Sequence, residues 1–262
     1  MNFVSAISAC SIRIFGDLSR TQVHRLRTGR RCISRDGSGR RSMRSAKRRS
    51  GRRSQDCGME SNITRMNQKL AGLFSFTRII AELQSVERVI RVRGGGRWEN
   101  DVEHSYSLAM LAWYILETER LPLDRDRVFR YALAHDLVEV YAGDTYIYSE
   151  DMALLESKPA REKEAALRLR REFPEMPELH AAIEGYVRKE DAESRFVYAL
   201  DKIEPVLKIY LDGGRTWQEK GVTLAMLYDS KREKVALSPE IQPYFDELIS
   251  LLRKEENKFF GG

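Results

Sequence analysis

Cysteine is scarce in this chain and stops early: Cys10, Cys32 and Cys57 are its three, and none follows. The body therefore has neither a disulfide framework nor thiolate metal ligands, which suits a reducing compartment. Histidine is almost as rare, with His24, His104, His135 and His180. No apolar run is long enough to span a bilayer, which excludes a membrane helix, and no internal repeat is visible. Acidic residues are nearly missing from residues 1–55, where Asp17 and Asp36 face 14 Arg and Lys47, a formal +13. The rest of the chain carries −7, so the overall +6 belongs to the N-terminal segment. A mildly acidic body argues against a general nucleic-acid-binding surface there.

What is present divides the 262 residues in two. Residues 1–58 are rich in Arg, Ser and Gly, and the run from Arg25 to Arg53 offers too little apolar surface to offset the entropy of ordering. This segment is expected to be a disordered basic arm. Its Arg/Ser-rich, acid-poor composition reads as a targeting segment; the competing readings are a start at Met59 or Met66 and a tail that binds nucleic acid. Residues 59–262 are expected to form one domain, in the cytoplasm, or in an organelle if the arm is a transit segment.

From Met66 the apolar spacing becomes helical: Leu70, Leu73, Phe74, Thr77, Ile80 and Leu83 follow i, i+3/i+4. Further helical patterns fall at about 103–118, 126–140, 158–172, 176–190, 192–211 and 239–257. Pro122, Asp124 and Asp126 suit a helix start, and Gly213-Gly214 suits an exit. No segment alternates with a period of two. The expectation is an all-α bundle with loops at 91–102, 141–157 and 212–219. Ile241, Tyr244, Phe245, Leu248, Leu251 and Leu252 would pack internally or against a second copy.

The chemistry concentrates in Ala134-His135-Asp136-Leu137-Val138-Glu139. On a helix His135 and Glu139 share a face, while His135 and Asp136 point about 100° apart. Both still reach one ion beside the helix. His104 begins an apolar helix after Glu99-Asn100-Asp101-Val102-Glu103. Asp201 lies in the otherwise apolar Tyr198-Ala199-Leu200-Asp201-Lys202-Ile203, where a carboxylate is costly unless paired or metal-bound. Imidazole with carboxylate suits Mn, Fe, Co, Zn or Ni, and Mg less well. Singly, each residue also reads as an ordinary satisfied side chain, Asp201 for instance bridged to Lys202 or Lys208. His24 in the arm and His180 in a charged, Pro-flanked segment read as non-functional.

As an ordered set, His104, His135-Asp136 and Asp201 resemble the HD superfamily of metal-dependent phosphohydrolases. Glu99 to Ser105 and His135-Asp136-Leu137-Val138-Glu139-Val140-Tyr141-Ala142-Gly143-Asp144-Thr145 resemble its 5′-deoxynucleotidase-like branch, over about residues 70–225. The resemblance implies an HD-domain helical bundle in which His104, His135, Asp136 and Asp201 bind one divalent metal ion (Mn, Co, Fe, Ni, Zn or Mg). It implies that Glu139 handles the proton of the attacking water and that Asp144 is a second catalytic acid. Both roles suit a site where metal lowers the pKa of water and a nearby carboxylate takes its proton.

Phosphate also needs cations. The candidates are Arg88, Arg91, Arg93, Arg97 and Lys208, with Arg97 and Lys208 preferred; Lys208 lies two turns past Asp201 on the same face. The strict deoxynucleotidases carry an Arg-Trp pair well upstream of the first His. Here Arg88 is sixteen residues upstream but precedes Val89, while Arg97-Trp98 lies close to His104. Deoxyribose preference therefore does not follow. The expected function is hydrolysis of (deoxy)nucleoside 5′-monophosphates. The alternatives are a phosphodiesterase, a nucleoside triphosphate hydrolase, or a non-catalytic binding protein stabilised by metal. A homodimer is expected by analogy.

Overall fold

Short polar side chains open most of the helices. Asn100 accepts from Glu103 N while the Glu103 carboxylate accepts from Asn100 N, a reciprocal cap that starts the helix carrying His104. Asp124, Asp151, Asp191 and Thr223 each accept from backbone N–H groups of the helix they precede. The computed structural model describes residues 67–260, so the expected basic arm lies outside the described residues.

The order is α1 (Gln68–Leu83), β1 (Glu87–Arg91), β2 (Trp98–Asn100), α2 (Asp101–Thr118), α3 (Arg125–Ala134), α4 (Glu139–Ala142), α5 (Met152–Glu172), α6 (Pro177–Arg188), α7 (Ala192–Leu211), α8 (Arg215–Lys220), α9 (Leu224–Val235), α10 (Gln242–Lys254) and α11 (Glu256–Phe259). The all-α expectation holds for the body. Helix α7 is its centre, packing against α2, α3, α6, α9 and β1. Its Phe196, Val197, Ala199 and Leu200 are fully buried, and each large one contributes about 1.5–3 kcal/mol of transfer free energy.

Local expectations fail where tertiary contacts override pattern. The stretch 91–102, expected as a loop, closes a small antiparallel hairpin in which Glu87 pairs with Asn100 and Arg91 with Trp98, with a bulge between Arg88 and Arg91. The Arg91 guanidinium lies 3.6 Å over the Trp98 ring, which fastens the two strands. The helix expected over 126–140 breaks: α3 ends at Ala134, residues 135–138 form turns, and α4 resumes at Glu139. The loop expected at 141–157 is shorter, because Asp151 caps α5 and the helix runs through Pro159. Helix α8 lies in the expected loop 212–219. Helix α9 was not expected, because Lys231 occupies a position of its buried stripe beside Leu224, Leu227 and Val235 and masks the apolar period.

Two glycines are dictated by close approach. A Cβ on Gly185 would lie 2.6 Å from the Tyr131 hydroxyl, and one on Gly214, at φ +81°, would lie 2.9 Å from Phe259. The apolar stripe of 239–257 packs internally, with Ile241, Phe245, Leu248 and Leu252 buried in the same chain. Among the described residues no helix is long and apolar enough to cross a membrane.

Candidate active site

The break after Ala134 has a chemical consequence. A continuous helix would splay His135 and Asp136 apart; the turn instead brings His135 Nε2 within 3.0 Å of Asp136 Oδ2. From α2, His104 reaches the same place, its Nε2 3.1 Å from Asp201 Oδ1 and 3.7 Å from Asp136 Oδ2. One nitrogen from each histidine and one oxygen of Asp201 lie within 4.8 Å of one another. All four expected ligands thus converge, from α2, the end of α3 and the middle of α7.

These residues fit a divalent metal. His135 Nδ1 lies 3.0 Å from Ala132 O, so it carries the proton and leaves Nε2 as the free lone pair. That Nε2 is buried and has no hydrogen-bond partner, with Asp136 Oδ2 3.0 Å away. His104 Nδ1 faces Glu204 Oε2 at 3.2 Å, the carboxylate–imidazole pairing that orients a ligand and raises its basicity. Tyr186 donates to Asp201 Oδ2 at 2.9 Å, and Lys202 is paired with the same oxygen. Burial and Arg88 oppose a charge on His104, yet Glu204 and Asp201 outweigh them and push it up to about 9. Asp136 is held far below the carboxylate range: burial opposes this, but His135, Arg88 and His104 prevail.

The cluster borders a cavity of about 740 Å³ lined by His135, Asp136, Asp201, Glu139, Asp144 and Arg88 among others, with His104 behind it. Glu139 is buried, its Oε1 3.3 Å from Lys158 Nζ and its Oε2 without a partner. Burial, then Asp136 and Asp144, raise its carboxyl well above the usual range. Asp144 is half-buried on the loop after α4. Arg161 of α5 pins that loop, donating to Ala142 O and, at 2.7 Å, to Thr145 Oγ1.

The phosphate candidates separate. Arg88 leaves β1 toward the cluster, 2.7 Å from Asp136 Oδ2 and 3.1 Å from Asp101 Oδ1. Arg97 does not line the cavity; it is exposed and paired with Glu103. Lys208 does not line it either, because it bridges Glu99 and Glu204 behind His104. A helix-face argument puts Lys208 beside Asp201 but cannot foresee that two buried carboxylates claim it first. Sequence reasoning missed Glu204, Asp101, Lys158 and Tyr186. Glu204 had a legible signal, one turn after Asp201 in an apolar helix. Lys158 and Tyr186 had none, since other helices bring them in.

Comparison with known proteins agrees with this geometry. The family model described as HD domain matches residues 80–242. A Bos taurus protein named 5′-deoxynucleotidase HDDC2 is 34% identical over 195 residues, which cover 72% of this chain and 88% of that protein. Its Homo sapiens namesake is 34% identical over 181 residues, 67% of this chain and 84% of that one. Among solved structures, a predicted metal-dependent phosphohydrolase from Magnetospirillum magnetotacticum superposes with a TM-score of 0.61 at 32% identity, covering 71% of this chain and 93% of that chain.

Proposed function

We propose, from the premise that this chain belongs to the HD-domain family, that it releases phosphate from (deoxy)nucleoside 5′-monophosphates using one divalent ion. It is a metal-dependent phosphohydrolase. The nucleotide follows from likeness to proteins named 5′-deoxynucleotidase. The observation that carries the reading is the partnerless, buried Nε2 of His135, aimed at Asp136 beside His104 and Asp201 at the edge of a nucleotide-sized cavity.

His104, His135, Asp136 and Asp201 would hold the ion, with Mn, Co, Fe, Ni, Zn and Mg all compatible with the donors. When bound, it would lower the pKa of water and neutralise phosphoryl charge. The protein's own residues do the rest. Arg88 supplies a fixed guanidinium on the cavity wall, suited to two phosphoryl oxygens at once. Glu139, kept basic by its buried acidic neighbourhood, holds and returns the proton of the attacking water. Asp144 orients water or the leaving oxygen from a loop that Arg161 steadies. The cavity walls keep these groups aligned, which is most of what phosphoryl transfer requires.

The test is a panel of nucleoside monophosphates with Mn, Co, Mg and Zn, read as inorganic phosphate. No release from any of them, with metal shown bound, refutes the nucleotidase reading. Nucleotide or triphosphate as product would instead identify a diesterase or triphosphate hydrolase. We also hold that residues 1–58 are dispensable for hydrolysis, that the enzyme is cytoplasmic, and that it forms a homodimer through the exposed Tyr106, Met110, Trp113 and Tyr114 of α2. Truncation to Met59, fractionation of cells and light scattering decide these in turn.

A further inference from the structure

Lys231 is the most unusual side chain in the cavity that the mechanism does not use. It sits on the buried stripe of α9, only 8% exposed, between Leu227 and Val235. Among the described residues no carboxylate lies within ion-pair distance of it, and it makes no hydrogen bond. Its stem is buried while its ammonium end opens to the cavity with no carboxylate beside it, an arrangement that packing alone does not account for. It lines the same cavity as the metal cluster.

It is not alone. Lys234, one turn on, also lines the cavity and also lacks a carboxylate partner. Lys202 lines it from α7 and shares only Asp201, a residue already engaged by Tyr186 and His104. Both Lys231 and Lys234 are disfavoured as cations, first by burial and then by the charge of Lys202; Lys231 is brought down to about 7. Three lysines therefore line one cavity, and Asp201 is the one carboxylate in ion-pair contact with any of them among the described residues.

In the reading above, the phosphate of a monophosphate already has its place at the metal cluster beside Arg88. The lysine wall is surplus to that. We propose that Lys231, Lys234 and Lys202 form a second phosphate-binding subsite in the cavity. It takes either a second phosphate carried by the substrate, as in a nucleoside bisphosphate, or free inorganic phosphate. This rests on the nucleotide reading above for the substrate-borne case only. An incoming anion would restore the missing counter-charge and raise the affinity of the wall for protons.

The experiment compares the metal-loaded wild type with Lys231→Met and Lys234→Gln. Methionine keeps the unbranched stem of Lys231, one atom shorter, and Lys234→Gln changes a more exposed member; circular dichroism verifies both folds. Phosphate release is measured from a nucleoside 5′-monophosphate and from the matching 3′,5′-bisphosphate. The expected result is that the bisphosphate-to-monophosphate ratio of kcat/KM falls about tenfold or more in both variants, the effect of losing one charge-assisted contact. If that ratio holds while the inhibition constant for inorganic phosphate rises by a similar factor, the subsite takes free phosphate. If neither moves, the proposal is wrong. Should the wild type hydrolyse neither nucleotide, the nucleotidase reading fails by itself. The subsite is then decided by calorimetry with inorganic phosphate: two sites in the wild type and one in Lys231→Met support it, and equal stoichiometry overturns it.

Discussion

Replacing Lys231 by methionine should make the protein more stable, and by an amount that depends on pH. Burial and the nearby Lys202 bring this ammonium from its ordinary 10.5 down to about 7. Holding it charged below pH 7 corresponds to roughly 5 kcal/mol. Side-chain relaxation toward the cavity absorbs part of that, so about 2–3 kcal/mol should appear as a gain at pH 6. For a chain of this size that is on the order of 5–10 °C in Tm. The sign follows from proton linkage. Below about pH 7 both folded and unfolded wild type carry the charge, and the folded state bears its full cost. Between about 7 and 10.5 the unfolded chain binds a proton that the folded chain has lost, so wild-type stability recovers as pH rises. The variant has no such recovery. Its advantage should therefore shrink as pH rises from 7 to 9. Urea unfolding of both proteins at pH 6, 7.5 and 9, with m-values compared, measures this directly. A variant less stable than wild type, or a gain that does not change with pH, refutes the reasoning: Lys231 would then have a folded-state partner that burial and distance do not reveal.

Other outcomes follow from the same geometry. Glu139→Gln should lower kcat by about 10²–10⁴-fold while metal content by elemental analysis stays unchanged, since in the proposed mechanism the carboxyl handles a proton and is not among the four ligands. Arg88→Ala should lower kcat/KM by about 100-fold, the loss of a strong charge-assisted contact, whereas Arg97→Ala should stay within about twofold, because Arg97 is exposed and occupied by Glu103. Glu204→Gln should weaken metal binding by about 10–100-fold in a calorimetric titration, with kcat largely restored at saturating metal. If kcat falls instead while metal affinity holds, Glu204 acts on the reaction and not through His104.

The helix that carries His104 was legible because its start is local: Asn100 and Glu103 cap each other within four residues. The Asp124 helix start was legible for the same reason. The hairpin was not, because its strands are five and three residues long and depend on a bulge and on Arg91 stacking over Trp98, contacts with no periodic trace. The turn at 135–138 was equally hidden, since nothing in Ala-His-Asp-Leu-Val-Glu breaks a helix by propensity. The two preferred cations lie away from the cavity for a related reason. Arg97, Lys208 and Arg88 are alike in sequence, and only the carboxylates around each of them tell them apart.

By itself the sequence determined the fold class, the family and the ordered set of His104, His135, Asp136, Asp201, Glu139 and Asp144. These depend on residue type and spacing along one chain, which a reader of the sequence sees directly. Tertiary structure alone decided that Arg88, and not Arg97 or Lys208, lines the cavity, that Glu204 backs His104, and that Lys231 faces the cavity without a carboxylate partner. Charge acts through space and in proportion to desolvation, so its consequences appear only when separate helices are brought together and water is excluded from between them.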